Sequence, residues 1–484
     1  MPRRLALGLD LGTSAAKLVA LDAAGRIAAS GTAEFATTSQ LPGQAEQAPA
    51  DWLRALADAA AGLRRELAAA ARSSGPDEFV AIGLAGQLPT LVCLGKDSPL
   101  GPAITWKDAR ADTWATQLVD VAGRRRLYER TGMPIDGRYL APMFRHHWHP
   151  RREEVHTLLS AKDYVGYALT GRRLTDPSTA AGYGTYGLEA AAFDATLCEL
   201  WQLPPRLLPE VLPSSSIAGP LHAGGAALLG LTAGLPVTVG MADSVAGALA
   251  LTGLVEGSVA VTTGSSTIIL DAVHGLRLDP QSRYLLTPHA AAGWYGREMD
   301  LLATGTGYQW LSKLLGWSPG ELDARAARSL PGAHGLIFAP YLATGEQGAL
   351  WDPALRGVLQ GLTLSHGADD IARAFLEGVG FETRRCLDVL AEHVAVREIV
   401  VAGHLFGHGT NLELFADVLD RPVRVCTAPS PAAVGAALGA WQAVGGGPER
   451  PDAALYTEPH APGVAASAYG ALYSDYRRRA ARAA

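Results

Sequence analysis

Three short apolar runs open the chain, at residues 5–9, 17–21 and 26–30. Each is of strand length and the breaks between them are tight and polar, Asp22-Ala23-Ala24-Gly25 being the second, so they predict an antiparallel meander. Over 52–71 the text becomes Ala/Leu/Arg-rich with apolar positions three and four apart, the period of a helix, and 79–84 returns to a buried strand. Strand, helix, strand is the pattern of an α/β layer.

The same pattern restarts later. A strand at 236–241 leads into a helix at 244–251, and a strand at 257–262 is followed by the turn Thr263-Gly264-Ser265-Ser266 and a second strand at 267–272. Helices are predicted at 307–315 and 368–393, then strand 398–402, helix 412–419, strand 423–426 and helix 432–444. Two similar α/β halves joined near 236–252 follow, and the repeated hairpin suggests internal duplication. We divide the chain into domains 1–240 and 241–484. Residues 445–462 are rich in Gly, Pro and Ala and read as a linker, and 465–484 as a helix whose Arg477-Arg478-Arg479 suits its own C-terminal dipole.

Composition narrows the classes. A chain of 484 residues has room for two or three domains. A net charge of −6 with 48% hydrophobic and 18% charged residues excludes a basic nucleic-acid binder and a disordered acidic chain. Cys93, Cys198, Cys386 and Cys426 are far apart without zinc-ligand spacing, which points to a reduced compartment and no structural metal. The basic start Met1-Pro2-Arg3-Arg4 is followed by an apolar run broken at Asp10, too soon for a signal peptide, so a cytoplasmic location is expected. Residues 223–242 carry no charge, but their glycines and Pro236 make them a helix, a turn and a buried strand rather than a membrane span.

Chemistry gathers at three places. A phosphate needs backbone N–H donors at close approach, and a nearby carboxylate can hold a metal through water. Asp10-Leu11-Gly12-Thr13-Ser14 with Lys17 supplies that set, though the same residues also make an ordinary hairpin turn. Gly264-Ser265-Ser266 repeats it, and two such hairpins facing one another can clamp a phosphate chain from both sides. Asp243 stands where a strand ends and a helix begins, the edge at which open α/β sheets place ligands; an N-cap role fits it equally.

Read in order, these residues resemble the FGGY family of carbohydrate kinases, and within it the xylulokinase branch. The resemblance rests on Gly8-Leu9-Asp10-Leu11-Gly12-Thr13-Ser14, Gln44-Ala45-Glu46-Gln47 before Trp52, Gly86-Gln87, Trp106-Lys107-Asp108-Ala109-Arg110, Lys162-Asp163-Tyr164, Leu169-Thr170-Gly171, 240–247 around Asp243, Pro340-Tyr341-Leu342 and 374–379. It implies an α/β fold of two ribonuclease-H-like (actin-like ATPase) domains with an interdomain cleft, and an ATP-dependent kinase whose sugar would be D-xylulose, phosphorylated to D-xylulose 5-phosphate. By the same resemblance Asp243 is the catalytic base. ATP and its phosphates fall to Asp10, Gly12, Thr13, Ser14, Lys17, Gly264, Ser265, Ser266, Gly307, Gly403, His404 and His408, with Asp10 holding Mg²⁺ through water. The sugar falls to Gln87, Leu88, Pro89, Trp106, Asp108 and Ser244. The expected partner is a small-molecule sugar, with no nucleic acid and no membrane, and a homodimer is left open.

Four departures stand out. Leu88-Pro89-Thr90 replaces Met-His-Gly after Gly-Gln, which removes a ring-facing histidine. Ser244 replaces the Asn after the catalytic Asp and has a shorter reach. Gly345-Glu346-Gln347-Gly348-Ala349 loses the cation of Gly-Glu-Arg-Thr-Pro. In the adenosine loop Gly403-His404-Leu405-Phe406-Gly407-His408 carries side chains where glycines let the backbone approach a nucleotide. These motivate alternatives: a glycerol, ribulose or gluconate kinase, or an actin-like protein that binds nucleotide or sugar without transferring phosphate.

Overall fold

The computed structural model describes residues 2–70, 77–343, 348–352, 354–407 and 409–480. His408 and the altered segment at 345–347 lie outside the described residues.

The first half builds a twisted sheet. Strands β1 (Arg3–Leu11), β2 (Ala15–Asp22) and β3 (Ile27–Glu34) form the expected meander, with Asp10 directly opposite Lys17. Helix α1 (Pro49–Ala70) covers one face through Trp52, Leu56, Ala59, Leu63 and Leu67, the apolar stripe that its period predicts. Strand β4 (Asp77–Gly86) then lies parallel to β1. Two helices, α2 (Ala161–Thr170) and α3 (Pro177–Ala181), precede β5 (Ile217–Pro220), β6 (Pro236–Thr238), β7 (Met241–Ala242) and helix α4 (Asp243–Thr252). The sheet order is β5-β6-β4-β1-β2-β3, with β7 also on β4. The charge-free stretch resolves as anticipated into a helix, Ala223–Leu229, and β6; among the described residues no helix is long and apolar enough to cross a membrane.

The second half repeats the plan. Strands β8 (Ser258–Thr263), β9 (Thr267–His274), β10 (Leu285–Pro288) and β11 (Trp294–Leu301) are followed by α5 (Thr304–Leu315), α6 (Ala368–Ala391), β12 (Glu398–Gly403), α7 (Gly409–Leu419), β13 (Arg424–Val425), α8 (Pro431–Ala443) and α9 (Ala466–Ala480). The order β10-β11-β9-β8-β12-β13 places an antiparallel meander beside parallel strands, as β3-β2-β1-β4-β6 does in the first sheet.

Helices α4 and α8 form the layer between the two sheets. Both are apolar nearly all round, as helices packed on two sides must be. Helix α8 follows the second sheet in sequence yet lies against the first: a Cβ on Gly8 would sit 1.8 Å from the Ala433 carbonyl oxygen and one on Gly83 1.8 Å from that of Ala436. Ser430 caps α8, its Oγ accepting from the Ala433 N–H, and Pro431 occupies the first helical position, where a missing N–H costs nothing. The N-termini of both helices therefore open on the same cleft.

Candidate active site

The β1–β2 turn at 12–14 closes with the Gly12 N–H donating to the Ala15 carbonyl, and the β8–β9 turn with the Gly264 N–H donating to Ser266. Both line one open cavity of about 910 Å³, together with Asp10, Lys17, the start of α8 at 430–432, and Asp243, Ser244 and Gly247 of α4. The cavity thus combines two hairpin turns, two helix N-termini and a lysine, all of which favour an anion. Helix α5 starts behind the second turn. The Thr306 N–H donates to Ser265 O, and a Cβ on Gly305 would meet Gly264 O at 1.9 Å.

A second cavity of about 870 Å³ adjoins it. Its walls are Leu88, Pro89, Trp106, Met133, Arg138, Tyr139, Ser178, Leu285, Thr287, Glu298 and Asp300. Thr13, Trp106, Asp243, Ser244, Ser266 and Ile268 border both cavities. Asp243 therefore stands where a group held in one cavity meets a group held in the other.

The carboxyls here are crowded. Asp243 keeps a face open to the cavities while protein encloses the rest, and burial pushes its carboxyl up to about 7, with Asp10 and Asp300 adding to the rise. The Ser244 N–H, donating to Asp243 Oδ1 over 2.8 Å, and Lys17 oppose it. Asp300 is likewise raised by burial to about 7, against the pull of Arg138. Glu298 is held well above the usual carboxylate range by burial and then by Asp300 and Asp243; the Ser244 hydroxyl donates to its Oε2 over 3.1 Å, linking α4 to the second sheet. A base titrating near 7 suits proton abstraction at neutral pH.

Asp10 is buried, with its carboxyl raised mainly by desolvation. Its Oδ2 accepts from Ser430, whereas Oδ1 is buried without a hydrogen-bond partner beside the first cavity. An oxygen left in that state fits a hydrated cation. Among the described residues no cluster of three or more His, Cys, Asp or Glu side chains forms a metal cage, so such a cation would take most of its ligands from phosphate and water.

The other sequence-derived candidates fall in different places. Leu88, Pro89, Trp106 and Ser244 line the second cavity. Gln87 and Asp108 do not. Gln87 is buried behind the first turn, its Nε2 donating to Gln47 Oε1 over 2.8 Å, while Gln47 Nε2 donates to Thr13 O over 2.7 Å. Asp108 is also buried and accepts from the Ala45 N–H and the Arg110 guanidinium. Gly307 is buried in α5 against Leu342 and Phe375. Gly403 ends β12 at φ +104°, and a Cβ there would lie 1.9 Å from Thr263 O, so that position requires glycine. Beyond it Leu405 and Phe406 turn into the core, Phe406 stacking on Phe415 at 4.0 Å between centroids, and His404 is exposed. Neither cavity is lined by 403–407.

Sequence reading passed over Arg138, Tyr139, Ser178, Glu298, Asp300 and Ser430. One signal was present for the acids: Glu298 and Asp300 are two apart in a buried strand, so the period of two puts both on one face. Ser430-Pro431 carries a helix-start signature, but nothing in the text joins it to Asp10.

Two sheets of the same order, each bringing a turn to a shared cleft, with a raised carboxyl between the cavities, define the actin-like ATPase architecture with a phosphoryl-transfer site. The comparisons with known proteins narrow this. The N-terminal domain of the FGGY family of carbohydrate kinases matches residues 5–250 and its C-terminal domain residues 259–444. The chain belongs to the FGGY family and is a carbohydrate kinase. It is 29% identical to the xylulose kinase from Rhodospirillum rubrum, whose crystal structure superposes with a TM-score of 0.87 over 99% of both chains. It is 27% identical to a gluconokinase of Bacillus licheniformis over 89% of this chain and 86% of that one. It is 30% identical to a glycerol kinase of Gloeobacter violaceus over 90% and 88% respectively.

Proposed function

We propose that the chain transfers the γ-phosphoryl group of ATP to a hydroxyl of D-xylulose, giving D-xylulose 5-phosphate and ADP. The observation that carries this reading is the position of Asp243 on the border of both cavities, with a carboxyl titrating at about 7. The sugar occupies the Arg138–Glu298 cavity and the phosphates lie between the turns at 12–14 and 264–266. Asp243 accepts the proton of the attacking hydroxyl as the new O–P bond forms and the bond to the ADP oxygen breaks. Lys17, the N–H groups of both turns and the N-termini of α4 and α8 balance the charge on the transferring group. Mg²⁺, when bound beside Asp10, supplies further charge neutralisation. On this reading the sugar is held mainly by residues of the first half and the nucleotide mainly by those of the second, with the 240/241 division falling just before β7, which still pairs with β4 of the first sheet.

Leu88 and Pro89 in the sugar cavity favour a second reading within the family, a kinase of ribulose, glycerol or gluconate, because they present carbon where the xylulokinase pattern presents a histidine. An ADP-release assay over D-xylulose, D-ribulose, glycerol and D-gluconate decides. D-Xylulose is expected to give the highest kcat/KM; a higher value for another member reassigns the substrate, and no stimulation by any of them places the substrate outside this panel.

A further inference from the structure

The strand corner that delivers Asp243 is held by a buried polar network outside the contacts already described. Lys162 of α2 is 1% exposed. Its Nζ lies 2.7 Å from Asp163 Oδ1 and 3.2 Å from Asp176 Oδ1, and donates to the Val239 carbonyl over 2.8 Å. The ammonium thus makes two hydrogen bonds and one further ion-pair contact, all inside the protein. Asp176 Oδ2 accepts from the Ser178 N–H and hydroxyl and from Ser214 Oγ. The Ser178 oxygen in turn accepts from the Ala242 N–H over 2.9 Å. Between these two anchors the Gly240 N–H donates to Ser214 O; Gly240 has φ +86° and a Cβ there would meet Leu84 O at 2.2 Å, so the position requires glycine on both counts. The corner 239–242 is gripped at its entry by Lys162 and at its exit by Ser178, and Asp243 is the next residue.

We propose that Lys162, Asp176 and Ser178 are positioning residues for Asp243: a buried clamp that sets where the base points. The proposal rests on the reading of Asp243 as the base. A buried cation shared between two carboxylates is a weak source of net stability, whereas its geometry restrains both ends of one short segment. A shift of about 1 Å in a catalytic group lowers turnover about 100-fold, which is the scale on which such a restraint acts. Loosening the corner also admits water to Asp243. Since burial is the first cause of its raised carboxyl, the acid limb of the kcat profile then moves to lower pH.

Three variants test this, each with a thermal melt. Ser178→Ala is expected to lower kcat about 30-fold with KM for ATP within twofold of wild type, and to move the acid limb down. Ser214→Ala removes one Asp176 partner, lines neither cavity, and is expected to show the same changes at about 3- to 10-fold. If Ser178→Ala does not fold, Ser214→Ala decides by the same two readouts. Folded variants with kcat within twofold of wild type and an unmoved limb overturn the clamp, as does a fall in kcat with the limb unmoved. Asp243→Ala separates the two ideas: retained turnover overturns the base reading and the clamp with it, whereas lost turnover beside a normal Ser178→Ala overturns the clamp alone.

Discussion

The Ser430 hydroxyl donates to Asp10 Oδ2 over 3.2 Å, joining residues 420 positions apart. Through it the cap of α8 and the carboxylate at the end of β1 form one object, because the same Oγ also accepts the Ala433 N–H. Ser430→Ala removes both bonds. We expect a stability loss of about 1 kcal/mol, the usual cost of a lost cap, seen as a lower urea midpoint. Asp10 also loses its anchor beside the phosphates, so kcat/KM for ATP falls about tenfold while KM for the sugar holds. An unchanged value for ATP counts against a role for this pair in holding the nucleotide.

Replacing Asp243 by Ala removes the proposed base and leaves the second cavity's other walls in place. Turnover is expected to drop by 10²–10⁴-fold, the usual contribution of general base catalysis. Sugar binding, followed by calorimetry or by intrinsic tryptophan fluorescence, to which Trp106 in the cavity wall contributes, is expected to persist.

The pH dependence follows from the same group. Asp243 must be ionised to accept a proton, so kcat rises with pH through about 7 and levels off above it. Stability runs the other way. A carboxyl raised in the folded state binds more protons there than in the unfolded chain, so its contribution is full below the unfolded value near 4 and is lost as pH rises through about 7. Asp243→Asn is therefore expected to raise the melting temperature at pH 8 more than at pH 5, while lowering turnover on the same 10²–10⁴-fold scale.

Gly8 and Gly83 admit the backbone of α8. A methyl group at either would lie 1.8 Å from a carbonyl oxygen of that helix, and backbone cannot step aside as a side chain can. Gly83→Ala should cost about 3 kcal/mol or more in denaturant titration, at or beyond the upper end of overpacking penalties, through separation of α8 from the first sheet.

Because both halves contribute walls to both cavities, filling them draws the halves together. Small-angle scattering is expected to show a smaller radius of gyration with D-xylulose and a non-hydrolysable ATP analogue than without. Identical curves would argue for a preformed cleft.

Much of this architecture is local and so was legible. The meander at the start, the amphipathic α1, the apolar α8 and the Gly-Ser-Ser turn each depend on neighbours in the chain, and period, turn chemistry and capping record such neighbours directly. Gln87 and Asp108 show where that reading stops. Motif position alone put them at the sugar, yet one braces Thr13 through Gln47 and the other is buried against Arg110, because a buried polar group takes whatever partner the packing brings and that partner is distant in sequence. His404 and Leu405 make the same point: glycine is required at 403 by the approach of Thr263 O, whereas the residues after it face solvent or core according to how the loop packs.

The order of apolar and polar positions was enough for two α/β halves, their turns and the candidate Asp243, since each is dictated by contacts within a few residues. Tertiary structure alone decided that α8 crosses to the first sheet, that Glu298 and Asp300 line a cavity with Asp243, and that burial, with Asp10 and Asp300 nearby, raises Asp243 to about 7. Charge repulsion and desolvation depend on distance in space, and the linear text contains no such distances.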